Sequence, residues 1–304
     1  MDKITPHLWF DTQAREAGDF YASVFPNSRV KNVTTLDNTP SGSVHIVEVE
    51  ICGQEFTLLS AGPLFKFNPS VSFLVACETK EEVDALWQKL SDGGTPRMEL
   101  GTYPFSEHYG WTDDRYGVAW QLMFAGDRAI EQKITPVLMF TETQAGRCEE
   151  AIRFYTSVFR DAQERGINRY SSGEEPEKEG TIRFGQFQLE GQQFAAMDSA
   201  RSHGFTFNEA ISLIVHCDTQ EDIDYYWDRL SADPKSEQCG WLKDKYGLSW
   251  QIVPNAMDKM LATKNPKKLA AVTAAFLTMK KFDIAKLQAV YDAAGVNSNR
   301  RRLK

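Results

Sequence analysis

Residues 4 to 10 alternate in character: Ile4, Pro6, Leu8 and Phe10 fall on one side of an extended chain, Thr5, His7 and Trp9 on the other. A period of two predicts a half-buried strand. The period then changes. Ala17, Phe20, Tyr21 and Val24 recur at helical spacing and predict a helix over 14–25. Alternating runs return at about 43–51 and 55–60, with Cys52 and Gly53 between them as a hairpin turn. A strand over 71–77 precedes Thr79-x-x-Glu82, a capping box, and the stripe Val83, Leu86, Trp87, Leu90 of a second helix. Strands through 100–123 complete the stretch.

The pattern then begins again, which makes the repeat the main organising fact. Ile4-Thr-Pro-His-Leu-Trp-Phe10 returns as Ile134-Thr-Pro-Val-Leu-Met-Phe140, and Phe20-Tyr-Ala-Ser-Val-Phe25 as Phe154-Tyr-Thr-Ser-Val-Phe159. Gly53-Gln-Glu-Phe56 returns as Gly191-Gln-Gln-Phe194, and Phe67-Asn-Pro-Ser-Val-Ser72 as Phe207-Asn-Glu-Ala-Ile-Ser212. The skeleton Gly-Trp-x-x-Asp-x-Tyr-Gly-x-x-Trp-Gln occurs at 110–121 and at 240–251. It reads as strand, tight turn and strand, with Asp bonding the turn backbone and Gly117 or Gly247 supplying positive φ. In the last strand Trp120 and Leu122 face one way, Gln121 and Met123 the other. Helix two of the second copy reads Thr219-x-x-Asp222 with Ile223, Tyr226, Trp227 and Leu230, and strands over 238–253 finish it.

Each copy is thus two βαβββ units, an α+β organisation with domains at 1–126 and 131–255. Residues 170–180 are polar and turn-rich and are expected to form a mobile loop. The tail, 256–304, lies outside the repeat. Asn265-Pro266 predicts a helix running to about Lys280, and Asp283 caps another ending at Gly295. Leu269, Val272, Phe276, Ile284, Leu287 and Tyr291 suggest that these helices dock on a domain.

Bulk composition narrows the function classes. A chain of 304 residues with 42% hydrophobic and 25% charged residues is an ordinary globular protein. A net charge of −8 argues against a nucleic-acid partner, and the basic stretch 299–304 reads as a solvated end. The start carries no apolar signal region, and no run reaches the roughly 20 apolar residues of a membrane span. The five cysteines lack C-x-x-C spacing, so unpaired thiols and a cytoplasmic setting are expected, with Cys77 and Cys217 as small core residues.

The repeated strings together resemble the PhnB-like branch of the vicinal oxygen chelate superfamily, the group of glyoxalases, bleomycin-resistance proteins and extradiol dioxygenases. The resemblance spans both copies and runs into the tail at Met279-Lys-Lys-Phe-Asp-Ile-Ala-Lys-Leu287. It implies tandem domains, each of two βαβββ modules curling a mixed sheet into a ligand cup, and a fused tandem that imitates a dimer within one chain. Association of two chains stays open. Many relatives carry the label 3-demethylubiquinone-9 3-methyltransferase. A Rossmann-type methyl-donor site wants a glycine-rich strand-to-helix turn, and the chain has no G-x-G pattern.

In metal-using members four strands each supply one ligand. By the resemblance these positions fall on Thr5 and Thr135, on Ser72 and Ser212, and on Gln121 and Gln251, with a fourth somewhere in 57–60 and 195–198. Hydroxyls and amides are a poor donor set for a divalent ion, so no metal and no other cofactor is expected. What remains is a neutral, aromatic-lined cup suited to a small organic ligand. His7 and Trp9 share the face of Thr5, and His216 shares that of Ser212. Either imidazole is a weak candidate for proton transfer, or else a buried, hydrogen-bonded histidine. Asp198 is the carboxylate near the fourth position and a candidate base, or a strand-end residue. Trp111 and Trp241 could stack on a ligand or anchor packing. The expected function is ligand binding without metal. The alternative is an enzyme of the same fold, metal-dependent or not, acting on a small carbonyl or aromatic substrate.

Overall fold

The computed structural model describes residues 2–296; the basic stretch 299–304 lies outside them. Four modules follow one another. The first comprises β1 (Ile4–Phe10), α1 (Ala14–Val24), β2 (Arg29–Thr39), β3 (Gly42–Ile51) and β4 (Gln54–Ser60). The second comprises β5 (Val71–Cys77), α2 (Lys80–Leu90), β6 (Thr95–Tyr103), β7 (Ser106–Asp113) and β8 (Ala119–Phe124). The third comprises β9 (Ile134–Phe140), α3 (Cys148–Val158), β10 (Ala162–Arg169), β11 (Ile182–Leu189) and β12 (Gln192–Asp198). The fourth is shorter: β13 (Ile211–Cys217), α4 (Gln220–Leu230), β14 (Trp241–Lys243) and β15 (Ser249–Pro254). The tail adds α5 (Asn255–Leu261), α6 (Pro266–Phe276) and α7 (Ile284–Val296).

Local signals explain most of these elements. Thr79 and Thr219 each accept from the amide three residues on, at 3.1 Å, and so start α2 and α4. Asn265 caps α6 through the amides of Lys267 and Lys268. That helix ends at Phe276, short of the expected Lys280, because the chain turns at 277–279 to meet the fourth module. The long strand β2 is the element that the hydrophobic pattern hides. It is an edge strand with mostly exposed side chains, and therefore carries almost no apolar alternation.

The sheets are built across the copies. The seven-stranded sheet has the order β14-β15-β13-β1-β4-β3-β2, and the eight-stranded sheet β10-β11-β12-β9-β5-β8-β7-β6. The expectation that each cup forms within one copy is therefore corrected: the first module joins the fourth and the second joins the third. The joints are antiparallel, β1 on β13 with His7 opposite Ser212, and β5 on β9 with Ser72 opposite Val137. Each first strand is thereby paired on both edges, which a single copy leaves undone.

The repeated polar residues hold this arrangement. The Ile134 amide donates to Gln54 at 2.8 Å, while Gln192 accepts from the Ile4 amide and donates to its carbonyl. Asn68 donates to the Thr206 carbonyl and Asn208 reciprocates on Lys66. One large core joins the helices to the inner faces of both sheets, and the opposite face of each sheet carries its own smaller apolar cluster. All five cysteines are unpaired. The expected mobile loop is tethered: Glu177 accepts from the Ser199 hydroxyl and the Ala200 amide and is buried. Among the described residues no helix is long and apolar enough to cross a membrane.

Candidate functional site

The repeated Gly-Trp-x-x-Asp motif builds the frame of each cup. Asp114 accepts two hydrogen bonds on Oδ1, from the amides of Tyr116 and Val118, and two on Oδ2, from Tyr21 Oη at 2.7 Å and Trp120 Nε1 at 2.9 Å. Asp244 repeats this with Tyr246, Leu248, Tyr155 and Trp250. Burial pushes both carboxyls upward against these donors, which pull the other way. Gly117 and Gly247 close the two turns at φ +91° and +87°. The motif thus ties the helix of one module to the last strand of the next, and aims the following Gln at the other face of the sheet.

On that face the four family positions form a row across four neighbouring strands. In the seven-stranded sheet the row is Gln251, Ser212, Thr5 and Thr57; in the eight-stranded sheet it is Gln121, Ser72, Thr135 and Ala195. Within 57–60 and 195–198, register puts Thr57 and Leu59, and Ala195 and Met197, on the cup face, and the rows above take Thr57 and Ala195, which pair with His7 and Val137. Each row draws two residues from each copy. In both, the Gln amide donates to the neighbouring Ser hydroxyl at 2.9 Å. Only hydroxyls, an amide and, in one row, a methyl group stand where metal ligands would, so neither row suits a divalent ion. Among the described residues no three His, Cys, Asp or Glu side chains converge as a metal site.

The two cups differ in what surrounds these rows. Above Gln121 the eight-stranded sheet presents Leu74, Tyr109, Val137 and Ala195, with Met98, Met123 and Met197 half-buried around them. Tyr109 donates to Gln121 Oε1 at 2.7 Å, so phenol, amide and Ser72 hydroxyl form one chain along the floor. The amide orientation is fixed from both ends. Tyr103 and Phe105, at the turn joining β6 and β7, pack on Tyr109, and Phe105 is 57% exposed at the rim. This cup is apolar, aromatic and methionine-rich. Its lining escaped the sequence reading, although Tyr109 lies two residues before Trp111 and shares its face.

Both candidate histidines lie in the other cup. His7 packs edge-on against Trp241 at 5.3 Å, and His216 Nε2 contacts Thr5 Oγ1 at 3.1 Å. Burial lowers His7 to about 3 and His216 to about 4, so both imidazoles are neutral at physiological pH. Trp9 shares this face and donates to the Gly62 carbonyl. Above them lie Leu261, Leu269 and Phe276 of the tail, packed on Trp9, Ile46 and Leu59. Asp198 belongs to neither cup. It points to the helix side, where it accepts from the amides of Gly146, Cys148 and Ile182, caps α3 and is buried. Placing it in the cup is therefore corrected: it sits one residue out of phase with Ala195 and Met197.

Two mixed sheets of seven and eight strands, built from duplicated βαβββ modules, define a tandem glyoxalase-like protein of the vicinal oxygen chelate superfamily. The family described as 3-demethylubiquinone-9 3-methyltransferase matches residues 2–123 and again 132–253, and the chain belongs to this PhnB-like family. A PhnB protein from Bacillus cereus is 40% identical over 41% of this chain and 100% of its own, with a TM-score of 0.39. Glyoxalase I from Zea mays is 12% identical over 85% of this chain and 96% of its own, with a TM-score of 0.52. The fosfomycin resistance protein FosX from Listeria monocytogenes is 15% identical over 38% of this chain and 88% of its own, with a TM-score of 0.31. No curated protein matches the chain.

Proposed function

We propose that this chain binds a small uncharged organic molecule in the cup of the eight-stranded sheet, without a metal ion. The hydrogen-bonded chain Tyr109–Gln121–Ser72 carries the reading. It places an oriented amide at the position where the family resemblance implies a metal-binding carboxylate, under an apolar, aromatic wall. Such a site holds its ligand by shape and one or two hydrogen bonds. The methyltransferase activity in the family's description finds no support in the strand-to-helix turns. The chain's own oxygens occupy each module helix's first turn: Ser60 accepts from the Ala14 amide, Thr79 and Thr219 cap α2 and α4, and Asp198 caps α3. A phosphate or carboxylate cradle needs those amides free.

The test is calorimetry against a panel of neutral aromatic and carbonyl compounds. For any compound that binds, Gln121→Ala and Tyr109→Phe each weaken affinity by about tenfold, the size of one hydrogen bond, while Gln251→Ala leaves it unchanged. The reverse pattern places the site in the other cup. A stoichiometric Zn²⁺, Ni²⁺ or Fe²⁺ retained through purification overturns the metal-free reading.

A further inference from the structure

We infer that the C-terminal helices are a displaceable plug in the cup of the seven-stranded sheet, covering a second, polar site whose floor carries His7 and His216. The inference is independent of any ligand in the cup of the eight-stranded sheet.

The contact has an apolar rim and a polar floor that docking leaves unpaired. Leu269, Thr273 and Phe276 lie at i, i+4 and i+7 on one face of α6, and Leu269 and Phe276 rest on the cup side of β1, β3 and β4. Of the six buried side-chain polar atoms without a hydrogen-bond partner among the described residues, five belong to this cup or its cover. His7 Nδ1, His216 Nδ1 and Ser249 Oγ are on the sheet; Asn255 Oδ1 and Thr273 Oγ1 are on the helices. His216 and Asn255 are neighbours, so a small shift can pair them. His7, Ser249 and Thr273 are 4%, 1% and 3% exposed. Where the tail covers such a group, docking takes water away as a hydrogen-bond partner.

Charge acts in the same direction. Asp258 of α5 faces Glu48 of β3 and Glu55 of β4; burial and these two carboxylates push it up to about 6. Lys31 of β2 pairs with Glu55. The plug is nevertheless anchored where the shorter fourth module needs it. The amides of Cys239 and Gly240 donate to the carbonyls of Met279 and Lys280, and Phe282 packs on Gly240. Gly240 matches Gly110 of β7, so the tail stands in for a strand that copy two lacks. The edge at 277–282 is a hinge anchor, and α5 and α6 are the part free to lift.

Thr273→Cys places a thiol on the buried face of α6, and Cys217, on the helix side of β13, reports global unfolding. Alkylation followed by mass spectrometry should label position 273 at least ten times faster than Cys217. Leu269→Glu should speed it a further tenfold with Cys217 unchanged, and Asp258→Asn should slow it. Equal rates at both thiols would mean that the helices open only when the whole protein unfolds, and would overturn the plug. If Thr273→Cys does not fold, hydrogen exchange of the unaltered chain decides. Amides of α6 exchanging faster than those of β13 support the inference, and equal protection overturns it.

Discussion

At the scale of single residues, the repeated motif's Asp does more than close a turn. Asp114 and Asp244 do bond the turn backbone, but each also holds a Tyr from the preceding module and the motif's own Trp. The repeated Phe-Tyr string is therefore the other half of the same contact. The histidines make a testable case. Their pKa values are depressed in the folded state, to about 3 and about 4, against 6.5 when exposed. The unfolded chain thus binds more protons below pH 6.5, and stability falls as pH falls through that range. With both imidazoles neutral in the fold, the slope approaches about 2.7 kcal/mol per pH unit near pH 5. Asp258, raised to about 6, acts in the opposite sense. The informative measurement is therefore urea unfolding of the native chain against His7→Gln/His216→Gln, at pH 6.5 and 5. The native chain should lose more stability between them; parallel losses would show that the imidazoles take up protons without unfolding.

At the scale of elements, the two Gly-Trp pairs solve one problem differently. A Cβ on Gly110 would sit 2.6 Å from the Trp87 ring of α2, and one on Gly240 would sit 2.5 Å from the Phe282 ring of the tail. Gly240 also has φ +83°, where an L side chain is strained. Gly240→Ala should thus destabilise by about 1–3 kcal/mol and loosen the tail first, seen as faster hydrogen exchange at 277–284. Uniform loss of protection across both sheets would argue against this division. The capping boxes, the helical stripes and most strand faces are legible in the sequence, because local propensity and burial agree there. Strand β2 was not, since an exposed edge has no hydrophobic period to read. The face of Asp198 was also missed, because alternation gives the answer only once a strand's register is known.

For the whole molecule, pairing across copies makes each half incomplete. A chain cut within 126–132 leaves β1 and β5 in one fragment, and β13 and β9 in the other, without their antiparallel partners. Residues 1–127 and 128–304 expressed separately should self-associate or aggregate, and together should form a stable one-to-one complex by analytical ultracentrifugation. Two stable, independent monomers would contradict the fold. Such crossing lets one chain make both cups from a mixture of copies, so neither copy can be assigned one cup. Copy two has a tail segment where copy one has the β6 hairpin, and the two cups differ in lining: one is apolar and methionine-rich, the other carries the histidines under the tail helices.

By itself, the sequence determined the duplication, the α+β class, the inner and outer face of most strands, and the Gln that ends each repeated motif. These depend on spacing along the chain, which residue identity encodes directly. Only the tertiary structure decided which module pairs with which, where the tail lies, and which cup the histidines occupy. Those follow from contacts between segments distant along the chain, such as Thr5 with His216 and Ser72 with Val137. A strand edge or an apolar helix face in the sequence shows that it needs a partner, but not which of several equivalent partners it meets.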